Sequence, residues 1–338
     1  MSSWLNNFSH IYLERSAQGY PLVQQVLNRF SKARVIVIED YKDVFGRPRQ
    51  NFQLQKKSSQ LILAVKKDAL LYMGSSNVQD FGYPNFYYNS LVLNCVYNCD
   101  YCYLQGMYPS ANIVLFVNQS EYFSAVEKAI VERPDKGSPL YLAISYDTDL
   151  LALEKIIPYC RQWIDFSRHK PDLTIEVRTK SAHFSAIADL DAHPRVVLAW
   201  TLSPNAIVQR YEKRTPSLQR RLESAKRALD KGWPLRLCFD PVLPIPGWRL
   251  IYREFVDSVF AQIPAERIKD VSLGVFRMNS DYFRRIKKAR QDLDILYFPY
   301  ERIGNNVSPA ASERKRLMQF MLDCLAPYLP EHKIVIWH

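Results

Sequence analysis

Three of the chain's six cysteines lie within eight positions, in the run LNCVYNCDYCY at 93–103, and their spacing is C-x3-C-x2-C. The run begins directly after the apolar residues 91–93, so the thiols belong to a loop at the end of a strand. Thiolates are the ligands of iron-sulfur clusters, and three of them leave one iron of a [4Fe–4S] cubane open. The pattern therefore predicts Cys95, Cys99 and Cys102 as the ligands of a cluster whose open iron can bind a small molecule.

A zinc site and a packed core cluster remain open as alternatives for the triplet. A structural zinc site needs three thiolates and one further ligand, but such sites usually come as paired C-x2-C units or with a nearby histidine. Residues 81–132 contain neither. A packed triplet of cysteines is also possible, although these three lie in a polar loop rather than on one helical stripe. Ligand number and spacing favour the iron-sulfur cluster.

Short apolar runs alternate with amphipathic stretches along the chain. The predicted strands lie at 34–38, 60–66, 90–94, 113–117, 140–145, 173–177, 196–201, 235–239, 270–276 and 333–337. The predicted helices lie at 22–30, 120–132, 149–168, 217–231, 248–263 and 311–326, and the Ser-, Asn-, Tyr- and Pro-containing stretch 74–89 is predicted as a linker. Strands joined by helices are parallel, because each return crossover needs a dozen or more residues.

These patterns predict an α/β fold built on a partial (β/α) TIM-like barrel at residues 86–280. A small N-terminal α/β region is expected at 1–85, and a C-terminal helical and strand extension at 281–338. Catalytic groups of such barrels lie at the C-terminal ends of the strands. We therefore expect one mouth to gather the polar residues that follow the strands, namely the cysteine loop, residues 145–149, residues 178–180, Thr201, Ser203, Asp240 and Arg277.

Charge points to a polyanionic partner. The net charge is +11 with an isoelectric point near 9.3, and basic residues recur in groups at 220–227, 283–290 and 313–316. Any one group can be an ordinary solvated helix face. The total excess favours nucleic acid.

The sequence offers no sign of a membrane segment or a secretory leader. No apolar run approaches the roughly 18 to 20 residues of a membrane helix, and the first ten residues lack both a basic and an apolar region. Six cysteines in a chain of 338 residues do not form a disulfide framework. We expect a cytoplasmic protein that does not bind membranes.

The cysteine loop is similar to that of the radical S-adenosylmethionine (SAM) superfamily. In that superfamily SAM chelates the open iron, and electron transfer cleaves SAM to a 5′-deoxyadenosyl radical. The run from Cys99 to Gln105, with the strand after it, more closely resembles the spore photoproduct lyase family. From about residue 61 onward further short pieces match, at 178–180, 240–241, 247–248 and 276–277.

This resemblance implies one [4Fe–4S] cluster per subunit, SAM, damaged DNA as partner and a reductant such as flavodoxin or ferredoxin. The family positions that contact SAM match Tyr103 and Lys180 here, and the loop with Ser145, Asp147 and Thr148 serves cofactor and substrate. Thr148 or Asp149 would equally suit the N-cap of the next helix. The remaining expected cofactor contacts at the mouth are Thr201, Ser203 and Asp240, and the arginines expected to hold DNA phosphates are Arg277, Arg284 and Arg285.

The chain departs from the family where a fourth cysteine donates a hydrogen atom to the thymine radical. The matching residue is Ser145, whose O–H bond is too strong for that role. Tyr146 or Tyr101 could supply a phenolic hydrogen instead, and Cys238 near the end of a later strand is a further candidate. The Tyr-Arg pair with which the family contacts damaged DNA is also absent, because residues 308–312 read SPAAS.

The leading hypothesis is a radical SAM lyase that repairs a thymine photoproduct in DNA. A second hypothesis keeps the radical chemistry and changes the substrate, which the loss of the donor thiol favours. A third is a nucleic-acid-binding protein in which a cluster or zinc ion is purely structural. Cleavage of SAM by the loaded protein separates the third hypothesis from the first and second.

Overall fold

The structure is a computed structural model that describes residues 8–74 and 80–337. Its α-helices within these residues are α1 (Pro21–Arg29), α2 (Lys42–Phe45), α3 (Phe52–Lys57), α4 (Leu104–Met107), α5 (Gln119–Glu132), α6 (Leu150–Leu153), α7 (Tyr159–Arg168), α8 (Asn205–Tyr211), α9 (Leu218–Asp230), α10 (Trp248–Phe260), α11 (Ser280–Ala289) and α12 (Ala311–Leu325). The strands in the same residues are β1 (His10–Glu14), β2 (Arg34–Ile38), β3 (Leu61–Ala64), β4 (Tyr72–Met73), β5 (Phe86–Tyr88), β6 (Val92–Leu93), β7 (Asn98–Cys99), β8 (Ile113–Phe116), β9 (Leu140–Ala143), β10 (Leu173–Thr179), β11 (Val196–Thr201), β12 (Glu212–Lys213), β13 (Leu235–Val242), β14 (Asp270–Val275), β15 (Met278–Asn279), β16 (Tyr300–Ile303), β17 (Asn306–Pro309) and β18 (Ile334–Trp337).

The chain divides into two compact units. One consists of Met1–Val96 and Met107–Val177, and the other of Tyr97–Gly106 and Arg178–His338. The second unit thus contains the larger part of the cysteine loop. The division into regions 1–85, 86–280 and 281–338 stays a prediction.

The first unit contains a five-stranded sheet in the order β2-β1-β3-β8-β6. Its first four strands are parallel, and β6 runs antiparallel to β8. All residues of β3 and β8 are buried, as expected for strands covered on both faces. The strand predicted at 113–117 is confirmed, but it pairs with β3 of the N-terminal region. The expectation that it belongs with the barrel strands is wrong, because hydrophobic period identifies a strand and not its neighbour.

A second set of strands in the first unit carries the loop with Ser145. Strand β9 is parallel to both β5 and β10, and β4 is antiparallel to β5. All four residues of β9 are buried. The loop that follows β9 therefore starts from a rigid base.

Four parallel strands form the core of the second unit, in the order β11-β13-β14-β18. Helix α9 connects β11 to β13, α10 connects β13 to β14, and α12 precedes β18. This is the strand-helix alternation that the sequence predicts. A small antiparallel sheet, β15-β17-β16, lies in the same unit.

Two predicted segments differ in detail. The single helix predicted at 149–168 is wrong: α6 ends at Leu153 and α7 begins at Tyr159. Pro158 precedes α7 and has no N–H to continue a helix from the preceding turn. Asp149 caps α6 as predicted, because its carboxylate accepts a 3.0 Å hydrogen bond from the N–H of Ala152.

The predicted linker 74–89 is only partly irregular, because β5 occupies its last residues. Its residues 75–79 lie outside the described residues. No helix in the described part of the chain is long and apolar enough to cross a membrane.

Candidate active site

The cysteine loop starts from a fixed backbone in the first unit. Asn94, which directly follows β6, has a φ of 70°, and its Nδ2 donates hydrogen bonds of 2.7 Å to the carbonyls of Ser110 and Asn112. Lys56 Nζ donates a 2.5 Å hydrogen bond to the carbonyl of Cys95. The left-handed turn and these bonds set the direction in which the chain enters the loop.

The middle of the loop is held within the second unit. Strand β7, which includes Cys99, pairs antiparallel with β12. Asp100 donates its N–H to the carbonyl of Tyr211 at 2.7 Å, and Gln105 Nε2 donates to the carbonyl of Cys99 at 2.6 Å. Backbone pairing on both sides of Cys99 leaves its thiol with little freedom to shift.

The carboxylate of Asp100 fixes the same stretch through charge. It is buried and lies 3.0 Å from Lys213 Nζ and 3.2 Å from Arg290 Nη2. Burial raises the pKa of Asp100, and the two cations partly counteract this. Arg290 Nη1 also donates to Gln105 Oε1 at 3.3 Å, so one buried arginine holds two residues of the loop.

The three thiols are not in disulfides; Cys99 is buried, and Cys95 and Cys102 are half-buried. Within the described residues, no three His, Cys, Asp or Glu side chains converge closely enough to hold one metal ion. A cubane takes one thiolate per iron, so its ligands stand farther apart than those of a single ion. Three thiols in one braced loop are the donor set that a three-cysteine [4Fe–4S] cluster requires.

A buried polar cluster lies in the second unit beside this loop. Tyr101 donates its hydroxyl hydrogen to Glu212 Oε1, and Ser203 donates to the same oxygen at 2.8 Å. Lys180 Nζ donates to Tyr101 Oη at 2.7 Å and to Glu212 Oε1 at 3.1 Å. Arg221 Nη2 lies 2.5 Å from Glu212 Oε2. Glu212 is thus the common anchor of two cations and two hydroxyls.

The charge states in this cluster follow from burial and neighbouring charge. Burial alone would raise the pKa of Glu212, but the charges of Lys180 and Arg221 outweigh it and lower that pKa to about 2. Burial lowers the pKa of Lys180, whereas Glu212 and Cys99 raise it above its ordinary value. Burial, with the charges of Glu212 and Cys99, raises the pKa of Tyr101. Tyr101 is therefore a neutral phenol, and Lys180 is a cation in the field of the Cys99 thiol.

Asp240 forms a second charged group in the same unit. Its Oδ2 lies 3.6 Å from Arg178 Nη1. Burial raises the pKa of Asp240 above its ordinary value, and the charges of Arg178, Lys180 and Arg277 offset only part of that rise. Arg277 lies over the ring of Trp337, 4.0 Å from the centroid. The second-unit strand ends thus bring Arg178, Lys180 and Arg277 within electrostatic reach of Asp240.

The loop after β9 belongs to the first unit. Ser145 is buried and forms an isolated antiparallel bridge with Ser90, whose hydroxyl donates a 2.5 Å hydrogen bond to the buried Asp147. The side chain of Tyr146 is 37% exposed, and its ring stacks on Tyr88 with the centroids 4.2 Å apart. This loop presents a phenol at the surface next to Ser145.

The predicted site residues Tyr103, Thr201 and Cys238 are buried or half-buried. Tyr103 is half-buried, and its carbonyl accepts from the N–H of Gly106 at 2.9 Å. Thr201 is buried at the end of β11, and its carbonyl accepts from Arg221 Nη1 at 3.3 Å. Cys238 is fully buried within β13. The roles of Tyr103 and Thr201 in cofactor binding, and of Cys238 as a hydrogen donor, stay predictions.

Sequence reasoning missed Glu212, and it interpreted Arg221 wrongly as part of a surface basic group. Arg221 is 0% exposed. The sequence did contain a sign that Arg221 is buried. Its position falls on one face of a helix together with the apolar residues Leu218, Leu222 and Ala225. A charged residue at an apolar position of that face indicates a buried partner.

The sequence is similar to a known protein family. A family model described as spore photoproduct lyase matches residues 7–295. The spore photoproduct lyase of Bacillus subtilis (strain 168) is 22% identical over 267 residues, which cover 78% of this chain and 75% of that protein. The corresponding protein of Clostridium acetobutylicum is 24% identical over 264 residues, covering 74% and 73%.

Solved structures show the same architecture. A spore photoproduct lyase complexed with dinucleoside spore photoproduct has a TM-score of 0.82 at 20% identity, and 97% of each chain is covered. A doubly substituted spore photoproduct lyase with bound AdoMet and the dinucleoside has a TM-score of 0.81 at the same identity and coverage. The predicted partial (β/α) TIM-like barrel is confirmed by this likeness.

Proposed function

This chain belongs to the spore photoproduct lyase family, and we propose that it is a radical SAM lyase that repairs a thymine photoproduct in DNA. The observation that carries the proposal is the match of the family model to residues 7–295, which include the cysteine loop. Cys95, Cys99 and Cys102 would hold a [4Fe–4S] cluster through one thiolate each. With SAM at its open iron, such a cluster supplies the one-electron cleavage that yields a 5′-deoxyadenosyl radical.

Lys180 and Tyr103 are the proposed contacts to SAM. Lys180 keeps its positive charge because Glu212 raises its pKa, and 15% of its side chain remains exposed. A fixed cation is suited to a carboxylate or a ribose oxygen. Asp147, Thr201, Ser203 and Asp240 stay proposed cofactor contacts.

The hydrogen that closes the repair has to come from a group other than the side chain of Ser145. Tyr146 is the better placed of the two candidate phenols, because it is exposed and adjacent to Ser145, whereas the Tyr101 hydroxyl is bound to Glu212. In this step the phenolic O–H bond breaks and a C–H bond forms on the thymine radical. The resulting phenoxyl radical then takes one electron from the protein reductant and one proton from water.

Damaged DNA is the proposed partner, and the enzyme is expected in the cytoplasm. Extruding a poorly stacked damaged base should cost only a few kcal/mol. Arg277, whose charge lowers the pKa of Asp240, is the proposed phosphate contact. Binding to DNA should weaken steeply as salt rises.

The decisive experiment is anaerobic. The cluster is reconstituted, SAM, dithionite and an oligonucleotide containing spore photoproduct are added, and restored thymine is quantified with 5′-deoxyadenosine. We expect both products, and neither from Cys102→Ala, whereas Cys324→Ala should match the parent protein because Cys324 lies on α12, away from the loop in sequence. Deoxyadenosine without thymine would retain the radical enzyme and exclude this substrate.

A further inference from the structure

Helix α11 and the residue after it contact the segment that carries the cysteines. Arg290, which follows α11, binds Asp100 in the loop, and Arg285 Nη1 donates to the carbonyl of Gly106 at 3.2 Å. The backbones also touch, because a Cβ built on Gly106 would lie 2.3 Å from the carbonyl oxygen of Tyr282. A protein bound to the outside of α11 is therefore one helix away from the proposed cluster loop.

The outer face of α11 is strongly basic. The helix reads SDYFRRIKKA, with four basic residues against one acidic residue. Phe283 and Ile286 are buried, whereas Arg284, Arg285 and Lys288 are exposed; these three exposed cations define the α11 face. The single acid, Asp281, pairs with Arg284 at 3.0 Å. The face therefore keeps a net positive charge.

We propose that the α11 face is the docking site of an acidic one-electron donor protein of the flavodoxin class. The inference rests on the proposed function, because reductive cleavage of SAM consumes one electron that must arrive from outside the chain. A positive face steers an acidic partner to it, and the effect weakens with salt. The contacts to Asp100 and Gly106 bring that partner against the loop that receives the electron.

The same cations were predicted to hold DNA phosphates, and the two partners place different demands on a surface. A damaged base has to enter a pocket to react. An electron needs only close surface contact near the cluster. A basic helix packed on the cysteine loop meets the second demand, so we reassign Arg284 and Arg285 from DNA to the reductant.

The test is a charge reversal on the α11 face with a matched reversal elsewhere. Arg284→Glu/Lys288→Glu reverses two exposed cations one helical turn apart and leaves the Arg285 and Arg290 contacts intact. Lys226→Glu/Arg227→Glu makes the same charge change on exposed positions of α9. Arg284→Gln/Lys288→Gln removes the charges without adding acids, and it replaces the reversal variant in the test if that variant folds poorly.

Two readouts are compared for each protein, both at low salt. One is the dissociation constant of an acidic flavodoxin, measured by calorimetry without SAM. The other is deoxyadenosine formation driven by reduced flavodoxin or by dithionite. For the α11 reversal we expect binding about tenfold weaker and flavodoxin-driven cleavage slower by a similar factor, with dithionite-driven cleavage unchanged. The α9 reversal should change neither by more than about twofold.

Unchanged flavodoxin binding by the α11 reversal, or no binding by the parent protein, would overturn the proposal. Oligonucleotide binding is measured on the same variants as a control, and its weakening with unchanged flavodoxin binding would overturn the proposal too and return the face to DNA. If the parent protein fails to cleave SAM even with dithionite, the proposed function fails. The calorimetric comparison then still decides the docking site.

Discussion

Arg221 Nη2 lies 2.5 Å from Glu212 Oε2, and neither side chain is exposed to solvent. The pair is a buried ion pair, and the charge of Arg221 lowers the pKa of Glu212. Lys180 supplies a second cation to the other oxygen of the carboxylate. One buried carboxylate thus faces two cations next to Tyr101, and its removal has consequences for stability.

Glu212→Gln should destabilise the protein strongly. Glutamine has the same shape but no charge, so Lys180 and Arg221 would remain buried without their counter-ion. Breaking a buried ion pair from one side costs about 3–5 kcal/mol of unfolding free energy. Denaturation in urea measures it, with Glu223→Gln on the exposed side of α9 as a near-neutral control. A loss below about 1 kcal/mol would show that the cluster is not needed for stability.

The same carboxylate gives the protein an acid-dependent stability. The pKa of Glu212 falls from its ordinary value of 4.5 to about 2 on folding. A depressed folded pKa contributes stability that is complete above the unfolded value and is lost as pH falls through the folded value. The difference in unfolding free energy between the parent protein and Glu212→Gln should therefore shrink from pH 4.5 toward pH 2. Both proteins are compared at each pH, so acid loss of a cluster affects both; a difference that stays constant across this window contradicts the assignment.

Substitutions of Ser145 should show whether a hydroxyl or a thiol at this position can act as the hydrogen donor. Ser145→Ala is expected to keep the ratio of restored thymine to deoxyadenosine, because the serine O–H bond is too strong to be broken. Ser145→Cys is expected to raise the ratio by introducing a weaker S–H bond at the family's donor position. Product quantification by mass spectrometry checks both. A lower ratio in Ser145→Ala would give the hydroxyl an essential role.

Tyr146→Phe should lower the same ratio, because it removes the proposed phenolic hydrogen donor. The phenylalanine ring can keep the stacking on Tyr88, so only the phenolic hydrogen is removed. Tyr101→Phe is the matched comparison, although it also removes the bond to Glu212. If Tyr101→Phe lowers the ratio and Tyr146→Phe does not, the donor is Tyr101.

Gly106→Ala should loosen the cysteine loop. The added Cβ would lie 2.3 Å from a carbonyl oxygen of α11, and backbone cannot move aside as a flexible side chain can. Overpacking of this kind costs about 1–3 kcal/mol of unfolding free energy. We expect lower stability together with faster release of iron to a chelator. Gly19→Ala, where no atom lies within 4 Å of the added Cβ, is the control; equal iron release from both variants would contradict the bracing role.

Local pattern predicted much of this fold. The strand predicted at 196–201 is β11 to the residue, and the helix predicted at 217–231 differs from α9 by one residue at each end. Both depend on periodicity and capping, which neighbouring residues determine. The break at Pro158 was missed because the amphipathic pattern continues across it.

The candidate site was predicted less completely. The thiol triplet and Lys180 follow from spacing and from position at a strand end. Glu212, in contrast, lies 111 positions from its partner Tyr101, and Arg290 lies 190 positions from Asp100. Such pairs leave little trace in local sequence.

The sequence by itself determined the cysteine spacing and the order of strands and helices, because each depends on residues a few positions apart. Only the tertiary structure decided that β8 pairs with β3, that Arg221 is buried, and that α11 lies against the cysteine loop. The reason is that sheet neighbours and buried charge partners are selected by long-range packing, in which desolvation and Coulomb attraction between distant segments outweigh local preference.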